Sequence, residues 1–326
     1  MKLTTYSEAI LEGFEYLLNN HKEVFVLGQG LWSPWYVGNS MKDLDKKFGK
    51  SRIIDTPISE NSVTGAAVGA SLCGMKPIIV HPRMDFMLYA IDPIVNQAAK
   101  WSHMFGGQAN APITIRAIIN RGGEQGAQHS QALHSWFAHI PGLRVVMPAT
   151  VSDARDLLIE SVLSDDPVLY IDDRWLYENE AEIEAFERRG IETIHPKCLR
   201  QGKDVTIVAS GYSSHLAMQA AEKLSHRDIL ADVIDVRVLS PFSPENIIKS
   251  VLKTRRLVVI DGSWKNCGFS AEVVASVSEN IDPHCLFVRP LRITLPESPA
   301  PTSKKLQDLY YPTVDDIAQK IEVLFV

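Results

Sequence analysis

The sequence predicts an α/β protein of two domains, each with a mainly parallel sheet covered by helices. Short runs of β-branched and apolar residues alternate with segments of helical periodicity along most of the chain. The 326 residues exceed what one hydrophobic core usually organises, and a glutamate-rich stretch at residues 174–190 interrupts the alternation. We therefore predict domains at residues 1–180 and 201–326, joined by a linker at 181–200.

The first helix is predicted from a capping box, in which Thr5 and Glu8 precede apolar residues that share one helical face. Pro93 is expected to start or kink a later helix, and a glycine-rich loop is expected at residues 120–128. Strands are predicted at residues 24–27, 52–54, 76–80, 112–119, 143–147 and 168–171, and helices at 65–74, 86–101, 130–139 and 152–163.

The charged stretch at residues 174–190 has no strand pattern, which is typical of a solvated crossing between domains. Beyond it the alternation resumes and predicts a second, smaller α/β domain. Its strands are predicted at residues 205–210, 232–236, 257–260 and 286–288, and its helices at 215–224, 244–252 and 270–278.

Composition excludes several classes of function. A formal net charge of -6 provides no field that would gather nucleic acid or anionic lipid. The most apolar stretch, residues 62–80, is interrupted by Lys76 and Pro77, so it predicts a buried helix and strand and no membrane span. The first residues lack the pattern of a secretory signal and the four cysteines are scattered, so we expect a cytoplasmic protein with small-molecule or protein partners.

Familiar nucleotide and hydrolase motifs are incomplete or missing. Gly28 and Gly30 follow a predicted strand, but Ser33 occupies the third glycine position of a dinucleotide fingerprint. The glycine-rich loop lacks the lysine of a phosphate-binding loop. No GxSxG, HExxH or paired-cysteine motif occurs, so the sequence offers no anchor for hydrolase or zinc chemistry.

Glu60 is the most informative carboxylate in the sequence. It lies between the predicted strand at residues 52–54 and the small-residue helix at 65–74, which is where α/β folds usually bind ligands. Spacing alone leaves two interpretations open: Glu60 contributes to a binding site, or it only stabilises the start of a helix.

His129 follows the glycine-rich loop, within the run Gln128-His129-Ser130-Gln131. A loop after a strand commonly delivers a catalytic imidazole, because histidine titrates near neutral pH. Histidine is equally common as a structural residue, so residue type and position leave both roles open for His129.

Taken together, these residues resemble the beta subunit of the thiamine diphosphate-dependent, decarboxylating component of 2-oxoacid dehydrogenases, of the pyruvate and branched-chain type. Several ordered motifs at compatible spacing are more specific than any one of them. The motifs lie at residues 52–60, 65–74, 90–92, 96–100, 128–131, 139–143, 258–262 and 267–272. The resemblance implies a pyrimidine-binding domain followed by a transketolase C-terminal-like domain.

The resemblance assigns roles to individual residues. Glu60 hydrogen-bonds the ring nitrogen of the cofactor's aminopyrimidine and thereby favours the tautomer that deprotonates the thiazolium carbon. Phe86 lies against the aminopyrimidine and Pro82 adjoins the cofactor. His129 donates a proton or hydrogen bond to the bound intermediate.

The resemblance also implies partners. Enzymes of this class hold the cofactor diphosphate through a divalent metal bound by a Gly-Asp-Gly motif. The nearest candidate here, residues 260–262, lacks the first glycine. An alpha-type chain is therefore expected to carry the diphosphate and magnesium, in a heterotetramer of two alpha and two beta chains that includes beta–beta contacts. A lipoyl acyltransferase is a candidate acceptor of the acyl group.

The sequence departs from the family pattern at several positions. Gln29 stands where relatives usually have an acidic residue, which puts an acidic relay in doubt. Arg83 and Arg121 add charge near the expected cofactor, and both are candidates for binding a substrate carboxylate or phosphate. For Arg83, a salt bridge to Asp85 or Asp92 is the alternative. The sequence does not establish the structural potassium site that relatives form near residues 164–165.

Two other functions remain open from the sequence. The chain could be the C-terminal half of a split transketolase-like enzyme, with arginines that hold sugar phosphates. It could instead be a non-enzymatic assembly subunit. The identity of the 2-oxo acid is not determined by the sequence, because the partner chain shares the pocket.

Overall fold

A computed structural model describes residues 2–121 and 123–325; Gly122, within the predicted glycine-rich loop, lies outside the described residues. The strands are β1 Lys2–Thr5, β2 Val24–Gly28, β3 Ile53–Asp55, β4 Lys76–His81, β5 Thr114–Ile119, β6 Arg144–Val146, β7 Val168–Asp173, β8 Glu180–Ile183, β9 Lys197–Arg200, β10 Val205–Ala209, β11 Ala231–Asp235, β12 Val238–Ser240, β13 Leu257–Trp264 and β14 Leu291–Leu295. The α-helices are α1 Tyr6–Asn20, α2 Pro34–Val37, α3 Leu44–Phe48, α4 Glu60–Leu72, α5 Ala99–Met104, α6 His134–Ala138, α7 Val151–Leu163, α8 Tyr212–Ser225, α9 Glu245–Thr254, α10 Phe269–Asn280, α11 Lys304–Tyr310 and α12 Val314–Glu322.

The first domain is built on a seven-stranded sheet with the order β12-β6-β7-β5-β4-β2-β3. All its pairings are parallel except that of β12, which comes from the second half of the chain and pairs antiparallel with β6. The central strands β4, β5 and β7 are almost wholly buried, as expected for a parallel sheet covered on both faces. Their carboxyl ends therefore meet along one edge of the sheet.

The second domain has a five-stranded sheet with the order β14-β13-β10-β11-β9. Helices α8 and α12 pack together beside it, and α9 and α10 contact strands β10 and β13. One continuous apolar cluster includes Val145 and Ile171 of the first sheet together with Val208, Ile234 and Val259 of the second. The two domains therefore share a hydrophobic core.

Three predictions about strands need correction. The charged stretch contains β8, which pairs antiparallel with β1 as a two-stranded ribbon, although only Ile183 of β8 is buried. The predicted strand at 286–288 is absent; a 3-10 turn at Pro283–Cys285 occurs just before it, and β14 follows at 291–295. Strand β9 lies inside the predicted linker and joins the second sheet. The local sequence pattern did not predict β8 and β9, because each forms a strand only through pairing with another strand. The domain boundaries stay predictions.

Helix boundaries differ in informative ways. The capping box of α1 is present, with Thr5 and Glu8 bonded reciprocally. The predicted helix at 86–101 is instead a 3-10 segment, Met84–Ala90, a π segment, Asp92–Ala98, and the short helix α5. Pro93 lies at the start of the π segment, where its missing N–H is tolerated. Residues 130–133 lie in a loop before the short helix α6 and not in the predicted helix at 130–139. Within the described part of the chain, no helix is long and apolar enough to cross a membrane.

Candidate functional site

A cleft opens where the carboxyl ends of β2, β3 and β4 meet the start of helix α4. Such edges bind ligands because loops there converge while the strands beneath them stay fixed. The residues that line the cleft are Gly28, Gln29, Thr56, Pro57, Ser59, Glu60, Val63, Ile79, Val80, His81 and Pro82.

Glu60 begins helix α4 and lines the cleft, five residues before the predicted helix start. Its carboxylate is half-buried and makes no hydrogen bond or ion pair with any described residue. A half-buried acceptor at a cleft wall is therefore available to a ligand that carries an N–H group.

The backbone of the cleft wall at Gly28 is tightly packed. Gly28 ends β2 with φ 153, and a Cβ at this position would lie 2.4 Å from the carbonyl oxygen of Val80. The neighbouring turn is held by Asp55, whose Oδ1 accepts hydrogen bonds from the N–H groups of Gly30 at 2.6 Å and Leu31 at 3.2 Å. These contacts hold the backbone on both sides of Gln29, which lines the cleft.

His81 ends β4 and is a cleft residue that the sequence analysis missed. It is 2 % exposed, and its Nε2 lies 3.4 Å from Thr64 Oγ1 on α4. Burial lowers the pKa of His81 to about 4, so its imidazole is neutral near pH 7. The available signal was a single histidine at the end of an otherwise apolar strand.

Phe86 and His129, neither of which lines the cleft, contact each other although they are 43 residues apart in number. Their rings are 5.5 Å apart between centroids and meet edge to face at 85°. The loop of His129 is anchored to the segment of Phe86 through Asp85, whose Oδ1 accepts from Gln131 Nε2 at 2.9 Å and from Gln131 N at 3.3 Å. Burial raises the pKa of Asp85 above its usual value.

The two arginines that the sequence analysis singled out lie in different environments. Arg83 is half-buried, next to Pro82 of the cleft wall. Arg121 is 5 % exposed, and its Nη2 lies 3.3 Å from Asp173 Oδ2. A Cβ on Gly262 of the second domain would lie 2.7 Å from Arg121 Nη2, so Arg121 packs at the domain boundary and does not line the cleft.

A second histidine, His134, connects the domains. Its Nε2 lies 3.0 Å from Asp261 Oδ1, and both side chains are buried. Asp261 also accepts from the N–H groups of Ser263 and Ser270. Burial raises the pKa of Asp261, but its contacts with His134, Ser270 and Ser263 together lower it below the usual value.

Comparisons with known proteins agree with this architecture. Residues 2–179 match the family described as transketolase, pyrimidine binding domain, and residues 195–317 match transketolase, C-terminal domain. The chain is 40% identical over 277 residues to the acetoin:2,6-dichlorophenolindophenol oxidoreductase subunit beta of Cupriavidus necator, covering 85% of this chain and 81% of that one. It is 35% identical to the mitochondrial pyruvate dehydrogenase E1 component subunit beta of Bos taurus, covering 96% and 88%.

A solved structure shares the fold. The protein described as a split gene transketolase, inactive beta4 tetramer, aligns with a TM-score of 0.76 over 98% of this chain and 96% of its own, at 21% sequence identity. At that identity the likeness concerns the fold alone.

Proposed function

The chain belongs to the family of beta subunits of thiamine diphosphate-dependent 2-oxoacid dehydrogenases, and from this premise we propose that Glu60 activates the cofactor in a site completed by an alpha-type chain. The observation that carries the proposal is the Glu60 carboxylate, which lines the cleft without any internal partner among the described residues. A partly exposed carboxylate that no protein group occupies is free to accept a hydrogen bond from a ligand.

The residue types that line the cleft suit the pyrimidine half of thiamine diphosphate. Ile79, Val80, Pro82 and Val63 provide apolar walls, and Glu60 provides a hydrogen-bond acceptor at one end. In the proposal, Phe86 and Pro82 bound the ring and Glu60 accepts the hydrogen bond from its nitrogen.

When bound, thiamine diphosphate supplies a thiazolium carbon that can be deprotonated and can then attack a carbonyl group. Glu60 favours the ring tautomer that takes up this proton, because its carboxylate stabilises an N–H at the ring nitrogen. His129 lies beside Phe86 and is proposed to donate a hydrogen bond or proton to the substrate oxygen. Asp85 positions the His129 loop through Gln131.

The finer assembly is also proposed. The alpha-type chain holds the diphosphate and magnesium, since the sequence of this chain lacks the Gly-Asp-Gly motif. Two alpha and two beta chains form the complex, with beta–beta contacts, and a lipoyl acyltransferase receives the acyl group. The four cysteines are free, which agrees with the proposed cytoplasmic location.

The experiment is to co-express this chain with its alpha-type partner and to follow reduction of an artificial electron acceptor. We expect turnover of pyruvate or a branched 2-oxo acid only when thiamine diphosphate and magnesium are present. Acetoin belongs in the panel, because relatives named for acetoin are among the most similar. No turnover with any of these donors contradicts the proposal, and ketol transfer between sugar phosphates without release of carbon dioxide supports the transketolase-like alternative.

A further inference from the structure

Two arginines follow strands β4 and β7 at the edge of the sheet that carries the cleft. Arg83 lies two residues after β4, and Arg174 directly follows β7, with β5 between them. Arg174 donates to backbone carbonyls of the segment that follows β2, and Arg83 lies between, because β4 stands between β7 and β2 in the sheet. Burial, and then repulsion from Arg174, lower the pKa of Arg83. The edge therefore concentrates positive charge beside the proposed cofactor site.

Arg83 is oriented by neutral acceptors. Its Nη1 donates to the carbonyl oxygen of Pro82 at 2.8 Å and its Nη2 to Gln125 Oε1 at 3.2 Å. With the Asn120 amide oxygen turned toward it, that oxygen also accepts from Nη2 at 2.9 Å and from Nε at 3.1 Å. These contacts fix the guanidinium group without neutralising its charge.

Arg174 is also without a carboxylate. Its Nη2 donates to the backbone carbonyls of Trp35 and Tyr36, and its buried Nε has no hydrogen-bond partner. The Tyr36 ring packs against Gly30, next to the cleft residue Gln29. Arg174 is thus held toward the same corner of the site as Arg83.

The carboxylates around this corner bind other groups. Asp85 raises the pKa of Arg83, but its Oδ1 accepts from Gln131, and Asp92 pairs with Asn96. Asp172 pairs with Arg116 and Asp173 with Arg121. Within residues 2–121 and 123–325, neither Arg83 nor Arg174 has a carboxylate within salt-bridge distance. Two guanidinium groups that keep their charge at one corner attract an anionic ligand.

We propose that Arg83 and Arg174 bind a second, non-reacting anionic group of the donor substrate, so that the preferred donor carries a distal carboxylate or phosphate in addition to its reacting end. This inference rests on the proposed function. The distal group is favoured over the 1-carboxylate of a 2-oxo acid, because the latter leaves as carbon dioxide. Two cations bound to that departing charge stabilise the ground state more than the transition state and slow the reaction.

The test uses the assembled alpha–beta complex and first measures binding without turnover. Thermal unfolding is followed with glutarate and with inorganic phosphate, as a distal carboxylate and a phosphate, respectively. Stabilisation by either anion is expected in the native complex and is expected to weaken at least tenfold in apparent affinity in Arg83→Gln and in Arg174→Gln. Arg83→Lys keeps the charge and is expected to retain part of the effect.

Kinetics then identifies the substrate class. We compare kcat/KM for pyruvate, 2-oxoglutarate and xylulose 5-phosphate in the same complexes. Arg83→Gln is expected to lower kcat/KM at least tenfold for the donor with a distal anion and less than threefold for pyruvate. Arg289→Gln, which changes an exposed arginine of the second domain, is the matched control and is expected to leave all values unchanged.

Three outcomes overturn the inference. Equal losses for pyruvate and for the distal-anion donors assign Arg83 to the reacting end. Loss of the alpha chain from the Arg83→Gln complex assigns the arginine to the subunit interface. If neither glutarate nor phosphate stabilises the native complex against thermal unfolding, the proposed anion site does not exist. Failure of the proposed function is distinct: no donor is then turned over in a thiamine diphosphate-dependent way, whatever the anion measurements give.

Discussion

The carboxyl edges of the two sheets place polar side chains in similar positions, but those side chains have different surroundings. On the first sheet, Glu60 lines the cleft without a hydrogen-bond partner among the described residues, and Arg83, next to the cleft residue Pro82, is bonded only to neutral acceptors. On the second sheet, Asp261 follows the paired residue Ile260 and accepts from His134, Ser263 and Ser270. The first edge is thus equipped for a ligand, and the second edge holds the domains together.

This comparison gives a criterion for recognising a site in an α/β fold. A polar group at a strand end contributes to binding when its bonding capacity is left open, and to stability when protein groups fill it. The two edges also contain contrasting buried histidines. His81 is neutral in the cleft wall, whereas His134 is paired with a carboxylate.

The largest expected effect concerns Glu60. Glu60→Gln removes the negative charge that stabilises the proton on the cofactor ring, and we expect thiamine diphosphate-dependent turnover of the complex to fall by about 10²- to 10⁴-fold. Because Glu60 has no internal partner, the free energy of unfolding should change by less than about 0.5 kcal/mol.

The measurements are acceptor reduction and urea unfolding, with Glu279→Gln as the exposed control at the end of α10. Unchanged turnover in Glu60→Gln would assign the chain to an assembly role and remove the contrast between the two edges.

The second edge is expected to respond in the opposite way. Asp261→Asn turns one of the oxygens that accept hydrogen bonds into a donor and removes the buried carboxylate that His134, Ser263 and Ser270 contact. We expect the free energy of unfolding to fall by about 3 kcal/mol. Urea unfolding measures it, and Asp308→Asn on the exposed face of α11 is the control. A loss below about 1 kcal/mol would show that this edge is not the stabilising one.

The buried His81 predicts a pH dependence. Its pKa is about 4 in the folded protein and 6.5 in an exposed chain, so the unfolded state binds the extra proton between these values. Stability is fully present above pH 6.5 and decreases as the pH falls toward 4, by up to about 3 kcal/mol.

His81→Gln is expected to flatten this decrease relative to the native protein, whatever its effect at pH 7. His103→Gln, at the exposed end of α5, is expected to retain the native slope. Urea unfolding at pH 7 and pH 4.5 measures both, and identical slopes in all three proteins would contradict the assignment of a neutral buried imidazole.

The smallest expected effect concerns a single hydrogen bond near the second edge, between Ser135 and Phe269. Ser135 Oγ accepts from Phe269 N at 2.9 Å across the domain boundary, beside the His134 pair. Ser135→Ala should cost about 1 kcal/mol, the usual contribution of a partly buried neutral hydrogen bond. Ser225→Ala, which removes a hydrogen bond within one helix, is the comparison, and an equal cost in both would remove any special role for the boundary.

Much of the first edge was predictable because its signals are local. Glu60 follows a short strand and precedes a small-residue helix, and each of these elements has a readable pattern. Arg174 was not predicted, because its significance depends on residues 83 and 36, which lie far away in sequence. The strand β8 was missed for the same reason, since its pattern becomes a strand only against β1.

The sequence by itself determined the alternating architecture, the family resemblance and the position of Glu60 at a strand-to-helix junction, because all three depend on short-range order. Only the tertiary structure decided which charges are compensated. Asp85 bonds to Gln131 and not to Arg83, and Asp173 is engaged by Arg121. Whether a charge is paired depends on distances between residues that folding brings together. By these distances Arg83, which has no carboxylate partner within the described chain, is proposed to bind substrate, whereas Arg121 packs at the domain boundary.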